Sequence, residues 1–210
     1  MKLYVFMIAP NPTRVRLYLA EKAVGGARIE VVEAMVDLRA GEQKLPEHLG
    51  RNPLGKLPVL EFDDGSCLTE SLAIIEYLEE EHPQPPMIGI DSGERARVRE
   101  LERIAEFGVL APVARIVHAT NSPLGFPPMP EVAAQARSFL PDALGVLDER
   151  LADGRPFVAG DHPTIADCTL EAAFQFARFG KVEIDPSFQH LARWDQAYRA
   201  RDAARSVLVI

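Results

Sequence analysis

Three short stretches carry the side chains best suited to hold and activate a small polar ligand. In TES, residues 69–71, Thr69 and Ser71 are good helix N-caps, and Glu70 in a first turn favours the helix dipole. The same groups suit an α-amino acid. Free N–H groups and the Ser71 hydroxyl hold a carboxylate, and the Glu70 carboxylate holds the neighbouring ammonium. In APNPTRVR, residues 9–16, Asn11 followed by Pro12 reads as an N-cap and N1 pair. An Asn amide at a positive helix end also donates a hydrogen bond to an anion. A thiolate placed there is stabilised and its pKa lowered. In the third stretch, Leu57-Pro58 stands before the strand-like VLEF. Proline cannot donate to a β-ladder, so it belongs at a strand start, an edge or a bulge. Either Pro58 only packs there, or it is a cis-proline that turns the Leu57 backbone outward to pair with an extended peptide.

Two further groups favour structural readings. Thr164 and Asp167 in HPTIAD form a capping box before an apolar run and start a buried helix. Arg115 and His118 lie at i and i+3, so they share a helical face. A solvated face or a capped core histidine accounts for both.

The elements that position these residues divide near residue 85. Before it the chain reads βαβαββα. Strands fall at 2–7, 28–36, 59–62 and 67–68, the last two a hairpin across DDGS. Helices fall at 13–23, 42–49 and 71–81. The first has Val15, Leu17, Leu19 and Ala20 apolar and Arg14, Arg16, Glu21 and Lys22 polar, and Gly25-Gly26 ends it. The second is weak and interrupted by Pro46. A strand–helix–strand start implies parallel pairing with a right-handed crossover. HPQPP, residues 82–86, is a linker. Beyond it everything reads helical: 92–119, kinked at Pro112; 131–151, carrying Pro141; 165–179; and 188–199. The expected fold is an α/β domain at 1–82, a linker at 83–91 and an all-α domain at 92–210.

Composition narrows the function classes. The 210 residues suffice for one large or two small domains, and 47% hydrophobic with 26% charged is ordinary for a soluble globular chain. No apolar run approaches the roughly 18 residues of a membrane span, and the N-terminus reads as a strand, not a signal peptide. Cys67 and Cys168 lie far apart and form no CxxC, which argues against a disulfide scaffold, a zinc site and a dithiol redox centre. A reducing cytoplasm fits. Cys67 reads as a small buried residue in the hairpin. With a net charge of −8 and no Lys/Arg block, nucleic acid and anionic membranes are poor partners.

Taken together, NPLGKLPVLEFDDGSCLTES before a helix, the Pro-rich linker and TIADCTL resemble the cytosolic glutathione transferase family, over the whole chain. The resemblance implies a thioredoxin-like first domain that binds glutathione as cosubstrate, with no metal, and a homodimer. Leu57, before Pro58, would pair its backbone with the cysteinyl part of glutathione. Glu70 and Ser71 would grip the γ-glutamyl end. Gln43, Lys44, Lys56 and His48 are the candidates for the glycyl carboxylate. The turn after the first strand departs from the Tyr, Ser or Cys of many classes. It has Ala9 where some carry Ser or Thr, and Asn11 where the bacterial beta class carries Cys. It most resembles the bacterial nu class and its disulfide-bond reductases, which makes Asn11 the candidate sulfur contact and Thr13 an alternative hydroxyl. Arg115, His118 and the loop at 125–129 are candidates for the second-substrate wall. The implied activity is a transferase whose glutathione thiolate attacks an electrophilic carbon, a peroxide or a disulfide. The Asn favours reduction. The alternative is a non-catalytic binding or regulatory protein of the same fold.

Overall fold

The computed structural model describes residues 1–210 and holds four strands and ten α-helices, those of the first part in the expected order. The first part runs β1 (Lys2–Val5), α1 (Pro10–Val24), β2 (Val32–Met35), a 3₁₀ turn (Glu42–Lys44), α2 (Pro46–Arg51), β3 (Val59–Glu61), β4 (Cys67–Thr69) and α3 (Ser71–Glu81). The sheet order is β2-β1-β3-β4, with β1 parallel to β2 and both other pairs antiparallel. This is the thioredoxin-like α/β layout, and it matches the expected βαβαββα.

Its register decides where chemistry can happen. Tyr4 pairs with Val59, and Val59 pairs with Thr69. The end of β1, the start of β3 and the end of β4 therefore share one edge of the sheet. The turn at 6–11, Leu57-Pro58 and Glu70-Ser71 all emerge there.

Several boundaries differ from the sequence reading. Pro46 does not interrupt its helix but begins it, because a first-turn proline lacks only an N–H that would be unpaired anyway. The second strand keeps only Val32–Met35, four of the nine expected residues, which pair with β1. The hairpin's Cys67 is half-exposed and not buried.

The helical part comprises α4 (Ser92–Ala105), α5 (Ala111–Thr120), α6 (Pro130–Ser138), α7 (Leu140–Arg150), α8 (Ile165–Gly180), α9 (Gln189–Arg199) and α10 (Asp202–Val207). The expected helix at 92–119 is continuous but carries a π-turn at Glu106–Leu110, just before Pro112. Pro112 has no N–H to give, and the widened turn absorbs the missing bond. The expected helix at 131–151 splits at Phe139, because Pro141 starts a new helix in its first turn. The last helix, α10, was not expected. It is short, and Ala203, Ala204 and Val207 bury one side of it.

The polar residues of α1 do not face solvent. Arg14, Arg16, Glu21 and Lys22 are all buried. Each charge has a partner, some within the first part and some in the helical part. Arg16 pairs with Glu33, Glu21 takes Arg201 in a two-pronged contact, and Lys22 pairs with Glu79. A single apolar cluster runs from Leu3 in β1 through Leu17 in α1 to Trp194 in α9, so the two parts share one core.

The most apolar helix, α8, is held as the sequence indicates. Asp167 accepts from the Thr164 N–H at 2.9 Å, the Thr164 hydroxyl at 3.0 Å, the Val158 N–H at 3.0 Å and the Trp194 indole at 3.0 Å. Burial pushes its carboxyl up to about 6 even against those four donors.

Further along α8, Glu171 is fully buried beside Arg178, whose Nη2 donates to it at 2.5 Å. Burial pushes the Glu171 carboxyl from 4.5 up to about 8. The folded chain therefore holds a proton across that window that the unfolded chain releases. Stability from this group is present below 4.5 and is lost as pH rises through about 8. Urea unfolding across that range should show a falling stability that Glu171→Gln flattens. Parallel curves for the two proteins would rule out this origin.

Candidate functional site

The sheet edge gathers three groups, and one hydrogen-bond chain joins two of them. The Ser71 hydroxyl donates to Asn11 Oδ1 at 3.3 Å and accepts from Arg14 Nε at 2.8 Å. Ser71 is buried, at 2% exposure, so its hydroxyl is set by these two partners and not by water. It makes no capping bond. The N-cap position of α3 is Glu70, which adopts φ 67° and ψ 115°. A non-glycine residue at positive φ costs about 1–3 kcal/mol and is retained where surrounding structure enforces it, typically at functional sites. The turn leaves Glu70 exposed at the cleft, next to the unpaired first-turn N–H groups of α3.

Arg14 was not among the sequence candidates. Its Nη1 donates to Glu102 at 3.0 Å and to Glu106 at 2.5 Å, across the boundary between the two parts. Thr169 donates to the same Glu102 carboxylate at 3.1 Å, and Arg103 pairs with both acids. Burial pushes Glu102 up; at Glu106 burial acts the same way, but the Arg14 and Arg103 contacts together outweigh it and the carboxyl falls below its usual range. The π-turn starts at Glu106, so the irregular helix sits where Arg14 is received. A lone arginine in an amphipathic helix gives no sequence signal of this kind. Only its burial beside Ser71 does.

The turn after β1 corrects one local expectation. Asn11 is not an N-cap. Ala9 takes that position, and α1 begins at Pro10. Prolines at 10 and 12 have no N–H, and the Thr13 N–H is already bonded to the Ala9 carbonyl at 3.0 Å. Asn11 is thus the one first-turn residue whose backbone N–H is free, and its side-chain Nδ2 has no protein partner. Thr13 points away from this role. Its hydroxyl donates to the Ala9 carbonyl at 3.0 Å and accepts from Gln175 at 3.1 Å inside the core. Ala9 supplies no side-chain donor.

The Leu57-Pro58 peptide is cis. Leu57 is nearly buried, yet its N–H and C=O make no hydrogen bond within the protein. Beside it lies the turn at 42–44. Gly55 has φ 60°, and a Cβ there would meet the Gln43 carbonyl and the Lys44 Nζ at 2.9 Å. Glycine at 55 leaves room for the Lys44 ammonium against the loop. Gln43 is buried; its Nε2 reaches the Leu38 carbonyl at 3.4 Å, and its Oε1 has no partner. Lys44 and Lys56 are exposed. His48 is buried with Nε2 at 3.1 Å from the Lys56 carbonyl, so it does not reach the cleft as a free side chain.

On the helical side, Arg115 is exposed and His118 half-buried. The His118 ring lies 5.7 Å from Phe126 and 6.0 Å from Phe176, and Nδ1 is 3.1 Å from the Ser122 hydroxyl. Burial lowers its pKa. Phe126 is exposed on the loop before α6, over this histidine. No group of three or more metal-ligating side chains occurs, and no helix is long and apolar enough to cross a membrane.

A thioredoxin-like domain with a free backbone at a cis-proline, an acid–serine turn at a helix start and an all-α partner defines a two-domain protein with its candidate site at the sheet edge. Known proteins narrow the class. Residues 3–86 match the glutathione S-transferase N-terminal domain model, and residues 130–200 match the C-terminal domain model. The chain is 31% identical to glutathione S-transferase 2 of Saccharomyces cerevisiae, over 100% of this chain and 90% of that one. It is also 31% identical to maleylacetoacetate isomerase of Pseudomonas aeruginosa, over 97% and 91%. The crystal structure of Gtt2 from Saccharomyces cerevisiae superposes with TM-score 0.88 at 31% identity, over 99% of this chain and 100% of that chain. A glutathione S-transferase domain-containing protein of Marinobacter aquaeolei gives 0.87 at 35%, over 97% and 100%. The chain belongs to the glutathione S-transferase family.

Proposed function

We propose that the protein binds glutathione along the sheet edge and uses its thiolate as a nucleophile toward an electrophilic, peroxide or disulfide substrate. The observation that carries this reading is the unpaired N–H and C=O of Leu57 beside the Ser71–Asn11 pair. An extended tripeptide fits as a short added strand. Its cysteinyl backbone pairs with Leu57, held by Pro58. Its γ-glutamyl carboxylate takes the Ser71 hydroxyl, whose one proton turns from Asn11 Oδ1 to the ligand, and the α3 N–H groups, and its ammonium takes Glu70. Lys44, with Gln43 and Lys56 nearby, receives the glycyl carboxylate.

The thiol then lies at the start of α1. Asn11 offers its backbone N–H and its amide Nδ2 to the sulfur. Both stabilise S⁻ over SH and raise the thiolate fraction at neutral pH. Attack forms the S–C, S–O or S–S bond and expels the leaving group, and Asn11 stays a donor throughout. The aromatic cluster of His118, Phe126 and Phe176 supplies an apolar wall for the second substrate, with Arg115 at its rim. A homodimer in the cytoplasm is part of this reading, resting on the family.

Calorimetry with glutathione is the first test, expected to show micromolar to low-millimolar binding. Asn11→Ala should then lower kcat at neutral pH by about tenfold or more, as the loss of an oxyanion donor does. Glutathione KM should stay within about threefold, since the thiol is only one of its contacts. The pH at which turnover rises should move upward. Binding without turnover on electrophiles, peroxides or disulfides would favour the non-catalytic alternative. An absence of binding would remove the glutathione reading.

A further inference from the structure

The Leu57 N–H must face the cleft for a bound peptide to reach it, and two buried side chains act on the other end of the same peptide unit. Asn52 Nδ2 donates to the Lys56 carbonyl at 3.0 Å, and His48 Nε2 lies 3.1 Å from that same oxygen. A carbonyl only accepts, so Nε2 is the protonated nitrogen. Both side chains are 3% exposed. Each is itself fixed. Asn52 Oδ1 accepts from the Leu54 N–H at 3.0 Å, and the Asn52 N–H donates to the His48 carbonyl at 2.9 Å. The His48 ring stands edge-on to Tyr4, 6.4 Å between centroids.

The Lys56–Leu57 peptide is planar and trans, so its C=O and N–H point in opposite directions. Holding the carbonyl toward α2 therefore aims the Leu57 N–H away from α2. That N–H has no partner in the protein. We infer that His48 and Asn52 are positioning residues: they orient the Lys56–Leu57 peptide so that its N–H meets the cysteinyl carbonyl of glutathione. They touch neither thiol nor substrate. This inference rests on the glutathione reading above. The group that meets the ligand is backbone, and the side chains of His48 and Asn52 aim it.

Amide hydrogen exchange of the full-length protein, followed by NMR at Leu57 with and without saturating glutathione, tests it together with steady-state kinetics. In the wild type, glutathione should slow Leu57 exchange. In the double variant His48→Phe, Asn52→Ala, that protection should be lost and glutathione KM should rise about tenfold, the scale of a misaligned hydrogen bond. His48→Gln keeps a donor and should retain most of the protection and a KM near that of the wild type. Should the double variant not fold, His48→Phe and Asn52→Ala are measured singly, each expected to lose part of the protection. Wild-type protection and KM in the variants would overturn the inference and leave the glutathione reading standing. Binding of glutathione by the wild type with no protection at Leu57 would overturn the placement of glutathione on Leu57.

Discussion

Ser71→Ala is expected to weaken glutathione binding by ~10- to 100-fold, the range for loss of a hydrogen bond to a charged group. Two effects add. The γ-glutamyl carboxylate loses a hydroxyl donor, and Arg14 Nε loses its acceptor inside the core. The second effect is felt without ligand, so a modest loss of thermal stability should accompany the binding loss. Ser71→Thr keeps the hydroxyl and should recover much of the affinity. Calorimetry at constant pH separates these terms. An affinity within about threefold of wild type for Ser71→Ala would place the glutamyl end elsewhere, since so small a change is less than one charged hydrogen bond contributes.

Lys22→Met is expected to produce the largest loss of stability. The Lys22 side chain is fully buried, and its ammonium donates to the His82 and Pro85 carbonyls at 2.6 Å each and pairs with Glu79 at 2.5 Å. Those three contacts use all three of its donors. It also lies 5.5 Å from the centre of the Tyr18 ring. The linker thereby gains its anchor from α1, while Glu79 accepts from Tyr18 at 2.9 Å and from the Met87 N–H at 2.7 Å. Methionine fits the space but leaves the Glu79 charge buried and two carbonyls short of a donor. Removing one partner of a buried pair costs about 3–5 kcal/mol, which for a chain of this size lowers Tm by about 10 °C. The double variant Lys22→Met, Glu79→Gln should recover part of that loss, because the second change removes the stranded charge. A fall in Tm below about 2 °C would mean that the linker draws its stability elsewhere.

The residues that were legible in the sequence are those whose structure is fixed by neighbours in the chain. The helix at Ser71–Glu81 and the capping box at Thr164–Asp167 depend on local spacing, and both stand where the pattern put them. Leu57-Pro58 and TES were legible as a pair of features, although only the sheet register brings them to one edge. The misreadings have tertiary causes. Arg14, Arg16, Glu21 and Lys22 are charged residues of a kind usually exposed, and nothing local shows that tertiary packing buries them. Asn11 looked like a cap because it precedes a proline, but Pro10 can begin the helix equally well and does. The π-turn and the break at Phe139 follow from Pro112 and Pro141, while how the helices accommodate them depends on packing.

The Lys22 anchorage has a wider consequence for cooperativity. A proline-rich connection between two domains is ordinarily where such proteins hinge or are cut. Here its carbonyls are tied down from within, and charged side chains of α1 find their counter-charges in the opposite half. Neither half on its own would retain those partners. The halves are therefore not modules that evolution or an experimenter can exchange freely, and the molecule should melt as one unit.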